Sequence, residues 1–160
     1  MPAMKTIQGD LIKLALEGSF DVVIHGCNCQ CTMGAGIAKS IKAEFPEAFD
    51  ADLATAKGSR DKLGSFSKAI GERSGRKLTV VNAYTQFHWR GRGTLADYDA
   101  IRKVMRLIKI EFAGQRIGYP KIGAGLAGGD WDSIAQILDE ELAGENHILV
   151  EFKPNDRLDC

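Results

Sequence analysis

The chain has 160 residues, 44% of them hydrophobic, and its 21 Lys and Arg residues balance 21 Asp and Glu residues. This composition is typical of one globular domain and excludes disorder as a description of the whole chain. Balanced charge gives no strong sign of the basic face that binds nucleic acid. No apolar stretch approaches the roughly 20 residues of a membrane span, and no signal-peptide pattern is present. We therefore expect a soluble, cytoplasmic monomer without a membrane partner.

The first half of the sequence alternates strand and helix patterns. A short strand over 4–8 leads into a helical stripe over 11–16. Residues 21–25 form a β-branched run, which is typical of a central strand buried on both faces. Apolar residues at helical spacing predict a helix over 37–45, and a second helix over 47–56 follows directly.

The second half continues this alternation. Two strands over 63–70 and 78–84 bracket a hairpin at 71–76. The remaining elements are a polar loop (85–94), an amphipathic helix (97–112), a strand (116–119), a glycine loop (120–129), a helix (131–142) and a last strand (147–152). The order predicts a single three-layer α/β/α domain over 1–160, with a core at about 4–152 and a largely parallel or mixed sheet.

Two glycine-containing loops, 32–37 and 122–129, follow buried strands and share a Gly-Ala-Gly sequence. Open α/β sheets bind ligands in such loops, beyond the carboxyl ends of their strands. Glycine lets backbone amides approach an anion, and the following helix adds its positive dipole end. The alternative is that each Gly-Ala-Gly merely permits a tight turn. Two loops at equivalent positions favour a diphosphate held between them.

The same loops disfavour two other nucleotide chemistries. Neither loop continues into Gly-Lys-Ser/Thr, the sequence of nucleotide hydrolases. Neither fits Gly-x-Gly-x-x-Gly at the first strand, the dinucleotide-binding pattern. ATP hydrolysis and hydride transfer are therefore disfavoured.

Three of the four cysteines, Cys27, Cys29 and Cys31, lie two residues apart, and the fourth is Cys160. That spacing would strain a disulfide. Structural zinc needs four ligands, usually at Cys-x₂₋₄-Cys spacing, and a nucleophilic thiolate needs a lowered pKa. Small buried packing residues are the favoured interpretation, because unpaired cysteine is among the most buried residue types. We predict reduced thiols, no metal and no cofactor.

Four segments carry a family resemblance: 9–12, 23–29, 33–38, and 120–126 with 129–131. In this order and spacing the sequence resembles a macro domain over nearly its whole length. It is most similar to the branch containing ADP-ribose 1″-phosphate phosphatases and terminal ADP-ribose protein glycohydrolases. The resemblance implies a mixed, roughly six-stranded sheet between helices, and a cleft whose partner is ADP-ribose or one of its derivatives.

The resemblance also implies ligand-binding roles. Asp10 would accept a hydrogen bond from the adenine amino group with Leu11 beside it, and Asn28 would face the distal ribose. The diphosphate would lie between two sets of residues, Met33, Gly34, Ala35, Gly36 and Ile37 in the first loop and Gly123, Ala124, Gly125, Leu126 and Ala127 in the second. Asp10 as a helix N-cap and Asn28 as a turn former remain open alternatives.

Asn28, His25 and Asp130 are the candidate catalytic residues. His25 ends a buried strand and can act as a general acid or base near neutral pH, or it can be a neutral core histidine. Asp130 can polarise a water or cap the last helix. His88 is a further candidate over the distal ribose. We expect Asn28, with His25 or Asp130, to place and activate water.

One departure from the branch affects the mechanism. The resemblance implies that its glycohydrolases carry a catalytic lysine after the strand at 78–84 and an aspartate after Gly-Leu of the second loop. Those places here hold Thr85 or Gln86, which we expect at the ligand site, and Ala127. A lysine adduct is therefore disfavoured. We expect hydrolysis of ADP-ribose 1″-phosphate, with removal of ADP-ribose from protein or nucleic acid, or a non-catalytic ADP-ribose reader, as alternatives.

Overall fold

Six strands form one mixed sheet in the computed structural model, which describes residues 4–152. The strands are β1 (Lys5–Gln8), β2 (Val22–Asn28), β3 (Phe66–Arg73), β4 (Arg76–Gln86), β5 (Ile117–Tyr119) and β6 (His147–Glu151). Their order in the sheet is β1-β6-β5-β2-β4-β3, and β3 is antiparallel to β4 whereas the other neighbours pair in parallel. The prediction of a mixed six-stranded sheet is confirmed.

Helices cover both faces of the sheet. They are α1 (Leu11–Leu16), α2 (Gly36–Glu44), α3 (Pro46–Leu53), α4 (Tyr98–Glu111) and α5 (Trp131–Glu141). A short 3-10 helix over Arg60–Lys62 was not predicted. Within residues 4–152, no helix is long and apolar enough to cross a membrane.

Two apolar cores result from the alternation of side chains along the strands. On β2, Val22 and Ile24 pack in the core that α4 and α5 cover, whereas Val23 packs in the core under α1, α2 and α3. All three side chains are at most 2% exposed. Burial on both faces is why this run is continuously apolar, as the sequence predicted for a central strand.

Several element boundaries differ from the predicted ones. Strand β2 continues to Asn28, because residues 26–28 keep pairing with β4, with an irregularity before Asn28. Helix α3 ends at Leu53, three residues early. The hairpin turn is only Ser74 and Gly75, whose φ angles of 52° and 74° suit a two-residue turn between twisted strands.

The sheet order brings the two glycine loops together. Strands β2 and β5 are parallel neighbours, so their carboxyl ends lie at the same edge of the sheet. The chain leaves β2 through residues 29–35 into α2, and leaves β5 through residues 120–130 into α5. The loops therefore flank one crevice beyond the strand ends, the usual location of a ligand in such folds.

Candidate ligand-binding and active site

A cleft of about 680 Å³ lies at this edge of the sheet, within the range of small-molecule pockets. One wall is formed by residues 32–38. The opposite wall is formed by residues 120–123 and 125–127, and the remaining lining comes from Gly26, Cys27, Asn28, Asp52, Gln86 and Trp89. Both predicted loops thus line one cleft. Of the ten loop residues predicted to bind the diphosphate, Ala124 is the one that lies outside this lining.

The first loop presents the start of α2 to the cleft. Gly36 begins the helix with a φ of 58°, and the N-cap residue Ala35 has no polar side chain to bond the first-turn amides. Those amides carry the positive end of the helix dipole and are suited to an anion. Met33 is 3% exposed and anchors the loop in the core under α2, which leaves Gly34 and Ala35 on the surface.

The second loop is closed by a backbone hydrogen bond in which the Gly129 N–H donates to the Gly123 carbonyl at 2.7 Å. A Cβ on Gly129 would lie 2.5 Å from that carbonyl oxygen, so the close approach requires glycine. Gly125 differs, because a Cβ there would meet no described protein atom within 4 Å. The protein itself therefore does not require glycine at position 125, and its bare backbone faces the cleft.

Asn28 lies in the cleft wall at the end of β2. Its Nδ2 donates to Thr32 Oγ1 at 2.9 Å, and its Oδ1 accepts from the Gln30 N–H at 2.8 Å. Asn28 therefore does form the turn, and it also lines the cleft. The amide has a second N–H and a second lone pair, which leaves it able to bond a sugar hydroxyl.

Asp10 caps helix α1. Its Oδ1 accepts from the N–H groups of Ile12 and Lys13 at 2.9 and 3.1 Å, which is the N-cap alternative. Leu11 is 1% exposed and belongs to the core. Both residues lie outside the cleft lining, so the adenine contact expected of them remains a prediction that the cleft itself does not support.

The structure places His25 in the core and not at the site. Its Nε2 donates to Asn82 Oδ1 at 2.6 Å, and the residue is fully buried. Burial lowers the pKa of His25 to about 4, so the ring is neutral at pH 7. The expected role as an acid or base in contact with ligand is corrected to that of a neutral core histidine, satisfied by a side chain and not by the backbone.

Asp130 and Thr85 also lie outside the cleft lining. Asp130 is exposed and caps α5, where its Oδ2 accepts from the Ser133 N–H at 3.1 Å and from the Ser133 hydroxyl at 2.6 Å. These bonds lower the pKa of Asp130. Thr85 is 1% exposed, beneath Gly26. Asp130 thus caps α5, and its expected water-activating role stays a prediction, whereas Gln86 does line the cleft.

The three described cysteines are buried thiols, and Cys160 lies outside the described residues. Cys27 borders the cleft, but burial raises its pKa well above the ordinary value, with the nearby Asp52 charge adding to the effect. Burial also raises the pKa of Cys29. A thiolate nucleophile is thereby disfavoured. No metal-binding group of His, Cys, Asp or Glu occurs in the part of the chain that the structure describes.

Several residues of the cleft lining were not singled out from the sequence as site residues, among them Trp89, Lys121 and Asp52. Trp89 is 45% exposed and takes the place expected for its neighbour His88. Lys121 lines the cleft and pairs with Glu151 at 3.3 Å. Asp52 is buried in α3, where neither spacing nor a motif marks it. The aromatic and basic composition of residues 87–90 was the one feature of the sequence that could have indicated Trp89 as a site residue.

An α/β/α fold with paired glycine loops at one cleft defines a ligand-binding domain of the three-layer class. The Macro domain family model matches residues 24–138. The chain therefore belongs to the macro domain family, and the resemblance stated from its sequence motifs is confirmed.

Sequence relatives extend this assignment. The chain is 36% identical over 157 residues to an uncharacterized 17.5 kDa protein of Enterobacteria phage T4, covering 94% of this chain and 97% of that one. It is 33% identical over 132 residues to a DNA ADP-ribosyl glycohydrolase of Mycobacterium tuberculosis, covering 81% of this chain but 36% of the relative. An ADP-ribose 1″-phosphate phosphatase of Aspergillus oryzae is 44% identical over 48 residues, 30% of this chain and 22% of that one.

Solved structures show the same fold. The macrodomain of Mycobacterium tuberculosis DarG superposes with a TM-score of 0.67 at 24% identity, over 96% of this chain and 99% of that one. Thermosipho africanus DarTG in complex with ADP-ribose gives a TM-score of 0.66 at 17% identity, over 97% of this chain and 43% of that one.

Proposed function

We propose that this macro domain binds ADP-ribose in the cleft and hydrolyses a substituent on the distal ribose, with ADP-ribose 1″-phosphate as its substrate. The observation that carries the proposal is the pair of glycine loops, at the ends of β2 and β5, that line one cleft of about 680 Å³. Two opposed sets of backbone amides suit a diphosphate, which carries anionic oxygens on both sides.

The chemistry at the distal end favours attack by water. Asn28 offers a donor and an acceptor in the cleft wall, whereas the nearby Cys27 is held as a thiol. The two places where a lysine adduct would need its groups hold Thr85 or Gln86, and Ala127. The lysine in the lining, Lys121, is instead paired with Glu151 beside β5.

The removal of ADP-ribose from DNA is a second candidate. It is favoured by the relative named a DNA ADP-ribosyl glycohydrolase, which matches 81% of this chain, whereas the phosphatase match covers 30%. Trp89, exposed at the cleft, offers a surface on which a nucleobase can stack. The missing lysine and aspartate speak against the same mechanism operating here.

A two-substrate assay separates these candidates. The purified protein is incubated with ADP-ribose 1″-phosphate and, in parallel, with ADP-ribosylated single-stranded DNA, and released phosphate and ADP-ribose are quantified. The proposal expects phosphate release from the first substrate. Release of ADP-ribose from DNA, without phosphate release from the first substrate, would favour the second candidate. ADP-ribose binding without either product would identify a reader module.

A further inference from the structure

Asp52 is a buried carboxylate in the wall of the cleft with one oxygen unused. The residue is 1% exposed and lies in the last turn of α3. Its Oδ1 accepts a hydrogen bond from the Tyr84 hydroxyl at 2.6 Å, whereas Oδ2 has no partner among the described residues. Buried polar atoms are nearly always paired, so a buried carboxylate oxygen without a partner, in a residue that lines a cleft, indicates a ligand or a water as its partner.

A chain of hydrogen bonds fixes the other oxygen. Ser67 bonds the Tyr84 hydroxyl at 2.8 Å, and Asn82 Nδ2 donates to Ser67 Oγ at 3.0 Å. Asn82 Oδ1 accepts in turn from the buried His25. Burial and the bond to Asp52 raise the pKa of the Tyr84 phenol, so it remains a donor. This network holds Oδ1 on the core side, and because the two oxygens of a carboxylate diverge, Oδ2 is directed away from Tyr84.

The groups around Asp52 place it near the end of β2. The Lys62 ammonium, 7% exposed, lies 4.4 Å from the centre of the Tyr84 ring. Tyr84 is paired in the sheet with Cys27, the residue before Asn28. Asp52 acts electrostatically on Cys27, and its carbonyl accepts from the Cys31 thiol at 3.1 Å. The carboxylate therefore lies beside the end of β2, where Asn28 lines the cleft.

We infer that Asp52 is the general base of the reaction, an inference that rests on the proposed function. Its Oδ2 accepts a proton from a water whose oxygen forms a bond to the phosphorus of the 1″-phosphate. The bond between phosphorus and O1″ breaks, and its electron pair remains on O1″, which takes a proton from solvent. Asp52 then returns its proton to solvent, and the products are ADP-ribose and phosphate.

The variant Asp52→Asn tests this role, because it keeps the shape and an acceptor for Tyr84 but replaces Oδ2 with a donor. We expect the single-turnover rate on ADP-ribose 1″-phosphate to fall by ~10²-fold or more, the usual size of a general-base contribution. ADP-ribose affinity should stay within about threefold of the wild-type value, since binding does not require the base. Asp50→Asn, an exposed position on the same helix, is the matched control and should change neither quantity.

Two results would overturn the inference while leaving the proposed function intact. One is phosphate release by Asp52→Asn at the wild-type rate. The other is a parallel loss of ADP-ribose binding and turnover, which would assign Asp52 a structural role. The proposed function itself fails if the wild-type protein releases no phosphate, and the inference then fails with it.

A second variant applies if Asp52→Asn does not fold. Tyr84→Phe removes the donor to Oδ1 and keeps the carboxylate. Because the carboxylate loses the hydrogen bond that orients it, the single-turnover rate on ADP-ribose 1″-phosphate should fall by ~10-fold or more. ADP-ribose affinity should stay within about threefold of the wild-type value. An unchanged single-turnover rate would overturn the inference.

Discussion

Leu126 of the second glycine loop reaches across the cleft to Gly36 of the first, with its Cδ1 atom 3.9 Å from where a Cβ on Gly36 would lie. The leucine side chain is nevertheless exposed, at 80%. Leu126 therefore lies at the rim of the cleft, above the place between the two loops where the diphosphate is proposed to bind. Its exposure is explained if the bound ligand covers it.

Leu126→Ala should weaken ADP-ribose binding without affecting the fold. Because the leucine side chain is mostly exposed in the free protein, the free energy of unfolding should stay within about 0.5 kcal/mol of the wild-type value. Loss of part of its contact with the ligand should cost ~1 kcal/mol, or roughly fivefold in Kd. Calorimetric titration and thermal unfolding measure the two effects, and an unchanged Kd would remove Leu126 from the binding surface.

Gly129→Ala should destabilise the protein itself. Its new Cβ would lie 2.5 Å from the Gly123 carbonyl oxygen and 2.8 Å from Ile134 Cδ1, so the loop and the start of α5 must shift. Overpacking of this kind costs ~1–3 kcal/mol of unfolding free energy. Chemical denaturation provides the measurement. A variant as stable as wild type would show that the loop closes differently from the structure.

Asn28→Ala should lower phosphate turnover by ~10²-fold if its amide orders the water and the distal ribose. The variant also frees Thr32 and the Gln30 N–H, so loop disorder must be separated from lost chemistry. Asn28→Asp keeps the acceptor for the Gln30 N–H, replaces the donor with an acceptor and adds a negative charge. Single-turnover rates equal to wild type in both variants would exclude Asn28 from the mechanism.

His25 should make stability depend on pH. Its folded-state pKa of about 4 lies below the ordinary value of 6.5, so the unfolded chain binds the extra proton first. The contribution of neutral His25 to the free energy of unfolding is complete above pH 6.5. It is lost as the pH falls toward 4, at up to ~1.4 kcal/mol per pH unit.

The variant His25→Gln isolates this effect. Burial also lowers the pKa of His147, so the wild-type curve alone contains both histidines. The free energies of unfolding of wild type and His25→Gln are measured between pH 4 and 7. When plotted against pH, the two curves should differ in slope and not only by a constant offset. Parallel curves would mean that the pKa of His25 is the same in the folded and unfolded protein.

The sequence was sufficient for the order of elements and for both glycine loops because these follow from local periodicity and glycine placement. It did not predict the partner of His25, since Asn82 is 57 residues away and only the pairing of β2 with β4 brings them together. Asp52 was missed for the same reason, because its bond to Tyr84 spans 32 residues. Capping by Asp10 and Asp130 was foreseeable as an alternative, since local hydrogen bonds decide it.

The cradle formed by the two glycine loops is tested most directly by titrating ADP-ribose calorimetrically into wild type, Gly125→Ala and Gly34→Ala. A Cβ at either position meets no protein atom closer than 4.0 Å, so both variants should unfold like wild type. Each should bind ADP-ribose ~10-fold or more weakly, because the methyl group separates the diphosphate from the backbone amides. Saturable wild-type binding that both alanines weaken is the predicted result. No binding heat from wild type, or equal affinities in all three proteins, would contradict it.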